Sequence, residues 1–71
     1  MKRDFESGMK AARSMGAEYA ANPGSSRMEY LDSAAWYFGP DKESRSDLNE
    51  EEKKALFKSF QEGVQAERKL Q

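Results

Sequence analysis

Val64 is the only Val, Ile or Thr in this chain of 71 residues. β-Strands need residues that fit a pleated, half-buried surface, chiefly the β-branched ones and the aromatics, and here the aromatics alone are on offer. Ala, Glu, Lys, Met, Arg and Leu dominate instead, and all of them favour helix. The expected fold class is therefore all-α, a single helical domain over residues 1–71.

Helical spacing recurs in three segments, about 3–21, 26–38 and 48–70, which defines a compact three-helix domain. In the first, Phe5, Gly8, Met9, Ala12, Gly16 and Tyr19 fall three or four residues apart and so share one stripe. Asn22-Pro23-Gly24 ends it, since proline disfavours helical backbone in the residue before it and glycine permits a reversal. The second opens at Ser26, with Glu29 placed for a capping box, and runs through Met28, Leu31, Ala35 and Phe38 to Gly39-Pro40. Residues 39–46 read as a polar loop. Asn49 and Glu52 offer a second capping box for the third helix, whose apolar face carries Leu56, Phe57, Phe60, Gly63, Val64 and Leu70.

A domain this short buries only about 60% of the surface its unfolded chain exposes. The chain has no Cys and no His, so there is no disulfide, and the commonest metal ligand and neutral-pH base is missing. Stability must come from close helix packing, self-association or a partner. The familiar nucleophile and base pairings cannot be assembled, so the chain is expected not to be an enzyme and to need no cofactor. A calcium loop over residues 41–52 has Asp41 and Glu52 in first and twelfth place but fails on chemistry. Arg45 occupies a ligand position and Ser46 stands where the sharp turn demands glycine, so no metal site is expected.

Twelve Lys and Arg stand against thirteen Asp and Glu, a net charge of −1. The near balance hides two opposed blocks: six acids against two bases in residues 41–52, and five bases against two acids in residues 53–71. Acids early and bases late in the third helix complement its dipole, with Glu50 and Lys54 spaced to pair. Without an overall basic footprint, direct nucleic-acid binding is disfavoured. No apolar stretch reaches the length of a membrane span or a secretory signal, so no membrane association and a cytoplasmic location are expected.

Two constellations suggest sites. Phe5-x-x-Gly8-x-x-Ala11-x-Arg13 matches Phe60-x-x-Gly63-x-x-Ala66-x-Arg68, and a glycine three residues after a phenylalanine leaves a notch that a neighbouring helix could enter. Phe5, Gly8, Phe60 and Gly63 are thus candidate helix-packing residues. Trp36-Tyr37-Phe38 sweeps about half of a helix circumference, because successive residues point about 100° apart. One neighbouring helix cannot cover all three. Tyr30, Trp36, Tyr37 and Phe38 are either sandwiched core or a partner-binding cluster, and Lys53, Lys54 and Lys58 form a candidate basic docking face.

Phe5-x-x-Gly8-x-x-Ala11, Gly16, Asn22-Pro23 and Trp36-x-x-Gly39 together resemble the ribosome modulation factor family and its small phage and bacterial relatives. That resemblance implies helical packing around Gly8, Trp36 and Gly39, and a protein that binds the ribosome and silences it. The near-neutral charge, Pro40, the acidic loop and the third helix depart from the family pattern. Taken together, the residues point to a small non-catalytic protein that docks on a larger protein or ribonucleoprotein assembly to modulate or inhibit it. Host-takeover and anti-CRISPR inhibitors of phage share this size class. A ribosome- or RNA-associated modulator and a structural homodimer are the alternatives.

Overall fold

A computed structural model describes residues 2–70 and consists of α1 (Phe5–Ala21), α2 (Arg27–Trp36) and α3 (Glu50–Lys69), with a single 3₁₀ turn, Arg45–Asp47, before α3. All-α is thus the observed class, with no strand among the described residues. Each helix starts where a short polar side chain satisfies a free amide. Asp4 accepts from Ser7 N at 2.8 Å, Ser26 Oγ accepts from Glu29 N at 3.4 Å, and Asn49 Oδ1 accepts from Glu52 N at 2.8 Å. Of these three starts, only that of α3 is reciprocal, with Glu52 Oε1 accepting from Asn49 N at 2.9 Å; Glu29 makes no such return contact. At the far end of α1, Gly24 takes φ +95°, a left-handed turn that other residues enter only with strain.

α2 is shorter than its apolar spacing predicts. It ends at Trp36, Tyr37 caps it, and Phe38 has already left the helix, its amide bonded back to Ala35 O at 3.1 Å. Phe38 nonetheless stays on the stripe its spacing from Leu31 and Ala35 defines, and is core.

The dominant interface is α1 on α3, α2 packs mainly on α1, and α2 touches α3 only slightly. Ala12, Leu31, Ala34, Ala35, Phe38, Leu48, Leu56, Phe60 and Val64 form the buried core, with Phe60, Leu31 and Leu56 its largest fully buried side chains. Four of the nine come from α3 or the residue just before its cap, so the loop is pinned at Phe38 and Leu48. The radius of gyration is 11.4 Å. A packed domain of this length is expected to measure roughly 11 Å.

Two glycines set the α1–α3 distance. A Cβ added to Gly16 would collide with the Phe60 carbonyl, and a Cβ added to Gly63 would collide with the Arg13 carbonyl. Each glycine faces the carbonyl three residues before the other, so the contact is reciprocal and the two backbones meet with no side chain between them. Gly63 is therefore a helix-packing residue, as its notch suggested. Gly8 is not: its notch holds the ring of Phe38 and no helix enters it. Gly8 and Gly63 thus do different jobs despite the matching sequence around them, and the partner of Gly63 is Gly16. Phe60 lies fully buried, whereas Phe5 stays 39% exposed and meets Phe38 edge-on, ring centroids 5.6 Å apart.

Candidate interaction surface

The aromatic cluster divides. Phe38, expected among the partner-binding residues, is only 3% exposed and belongs to the core. Tyr30 is half-buried, packed against that core with its ring set edgewise to Tyr19 at 6.1 Å. Trp36 keeps 40% of its surface exposed, and half-buried Tyr37 lies beside it, edge-on at 5.0 Å. Of the four, Trp36 and Tyr37 form the surface feature.

Arg3 fixes Trp36 in place. Its guanidinium sits 3.5 Å from the indole centroid, close enough for the cation to be held by the ring's negative face. Its Nε donates to Trp36 O at 2.9 Å, and one terminal nitrogen donates to Lys42 O at 2.7 Å. One side chain thereby ties the start of α1 to the end of α2 and to the following loop. Nothing in the sequence announces this clasp, because Arg3 and Trp36 lie far apart in the chain and no spacing connects them.

A shallow groove runs along the α1–α2 seam over Met15. Ser7, Lys10, Ala11, Ser14 and Tyr37 line its first part, about 360 Å³ in volume, and Asp32, Ser33, Trp36, Tyr37 and Glu43 line its continuation. Met15 belongs to both stretches. A flexible thioether at the floor and a fixed Trp at the wall suit an apolar side chain arriving from another molecule. A separate cleft between α1 and α3, beside Ser59, is bridged by Arg13 and Glu62 at 2.8 Å.

The basic face also divides. Lys54 and Lys58 are exposed on the outer side of α3, while Lys53 is half-buried next to Arg45, Ser46 and Phe57. Phe57 belongs to the apolar face by its spacing but remains 40% exposed, with Lys53 one turn before it. Glu50 and Lys54 make no ion pair among the described residues, although their spacing allows one.

Three carboxyls are held below their ordinary pKa, and each has a structural task. Asp47 accepts from the amides of Glu43 at 2.9 Å and Ser44 at 3.2 Å. Asp32 accepts from Arg45 Nε at 2.8 Å, and Asp4 accepts the Ser7 amide that caps α1. Lys42 Nζ, meanwhile, reaches Glu52 at 3.3 Å. Two of the six acids of residues 41–52, Asp47 and Glu52, are thus spent on fastening the loop and the helix start. Asp32 shares the lining of the groove with Glu43, but its carboxylate is engaged by Arg45.

No protein-family model, curated protein or solved structure matches the chain. Among the described residues no helix is long and apolar enough to cross a membrane.

Proposed function

We propose that the protein works by docking on a larger macromolecular assembly, modulating or inhibiting it without chemistry of its own. The observation that carries this reading is Trp36: an indole 40% exposed, clamped by Arg3, at the wall of an apolar groove. Binding hot spots are enriched in Trp and Tyr, and a side chain already fixed loses little entropy on association. An inhibitor of the host-takeover or anti-CRISPR kind fits this description, and so does the ribosome-associated modulator implied by the resemblance above.

Salt dependence separates a protein surface from RNA. Docking through the indole should persist as salt rises, whereas attachment to RNA phosphates should weaken steeply. The test is recovery of a partner by tagged protein across a salt series, comparing the natural chain with Trp36→Ala and Tyr37→Ala. Loss of recovery in variants that still fold supports the proposal; unchanged recovery in both removes it.

A further inference from the structure

Phe57 offers a second surface, on α3, that does not depend on Trp36. Its ring is 40% exposed, and helical spacing puts Lys53 and Lys54 one turn before it, with Lys58 one turn after Lys54 on the adjoining flank. Among the described residues none of these three lysines has a carboxylate within ion-pair distance. Across a trough of about 360 Å³ from Phe57 and Lys53 lie Arg45 and Ser46. Arg45 in turn donates to Met28 Sδ at 3.0 Å, and Met28 is 52% exposed. Asp32 neutralises Arg45, which leaves the lysines as the unbalanced charge of the patch.

We infer that this trough takes an acidic segment of another protein, with an apolar side chain set against Phe57 and carboxylates facing Lys53 and, along the same helix, Lys54 and Lys58. Charge complementarity selects the occupant: the exposed ring rewards apolar burial, and the unpaired ammonium groups of Lys53 at the trough and of Lys54 and Lys58 beyond it reward negative charge. Nucleic acid fits less well. The whole chain lacks the cationic excess that drives counterion release.

The test uses the full chain and a fluorescently labelled peptide of about a dozen residues, rich in Glu with one central Phe. A version with Lys in place of Glu and a single-stranded RNA oligonucleotide serve as comparisons. Saturable binding of the acidic peptide alone is expected, weakened about tenfold by Phe57→Ala and about threefold by each of Lys53→Gln, Lys54→Gln and Lys58→Gln. Lys69→Gln, the same loss of charge at the far end of α3, should leave binding unchanged. Because the Phe57 ring is well exposed, its Ala variant should melt close to the natural protein, and the lysine variants report independently if it does not. Equal binding of the two peptides, tighter binding of the oligonucleotide, or equal weakening by Lys69→Gln would overturn the inference.

Discussion

Gly16 and Gly63 are the residues on which the fold turns most sharply. In an open helix, Gly→Ala stabilises by about 1 kcal/mol through propensity alone. Here the added methyl would strike a backbone carbonyl that cannot rotate aside, so the sign should reverse. Thermal melting of Gly16→Ala and Gly63→Ala is expected to show clear destabilisation in both; a rise in either melting temperature would mean that the helices are further apart than described. Titration behaviour is also set residue by residue. Asp4, Asp32 and Asp47 have lowered pKa values in the folded protein: Asp4 and Asp47 through backbone amides, Asp32 through the Arg45 side chain. A carboxyl lowered on folding contributes stability above its unfolded pKa and loses it as pH falls through the folded value. Melting temperature should accordingly be flat near neutrality and drop from about pH 4 downward. The chain has no His, so no further step is expected between about pH 5 and 8.

Helix starts and stops were legible in the residues to within a few positions, because capping is local chemistry. Asn49 and Glu52 announce the start of α3, and Asn49→Ala should cost about 1 kcal/mol in a denaturant melt. Helix adjacency was harder to read. Periodicity places Gly8, Gly16 and Gly63 on inner faces but does not say which two will touch, and the sequence match between Phe5-x-x-Gly8 and Phe60-x-x-Gly63 singled out Gly63 without its partner Gly16. The spacing already put Phe38 on the stripe of Leu31 and Ala35, where it is buried, but it did not show that Trp36 would stay 40% exposed. Phe57 shows the same gap from the other side, since α2 packs mainly on α1 and leaves that flank of α3 uncovered. The Arg3 clasp joins elements far apart in the chain, and its removal is measurable because Trp36 is the sole tryptophan. Arg3→Gln should change the intrinsic fluorescence and lower stability by about 1 kcal/mol. Unaltered emission would show that the guanidinium does not sit on the indole.

For the molecule as a whole, a balanced charge count conceals an unequal division of labour. Two of the six acids of residues 41–52 fasten the loop, Asp47 through its own amides and Glu52 through Asn49 and Lys42, while among the described residues Lys53, Lys54 and Lys58 have no ion-pair partner. Among the described residues, six large apolar side chains keep 38% exposure or more around a small core. The Trp36 groove and the Phe57 trough are two places where that surface is shaped. Whether a fixed Trp36 anchors a docking protein is decided by partner recovery with tagged Trp36→Ala, its melting measured in parallel. The variant is expected to melt cooperatively near the natural temperature and to lose, at high salt, the partner that the natural protein retains. Retention of that partner by a folded Trp36→Ala would contradict the role given to the indole.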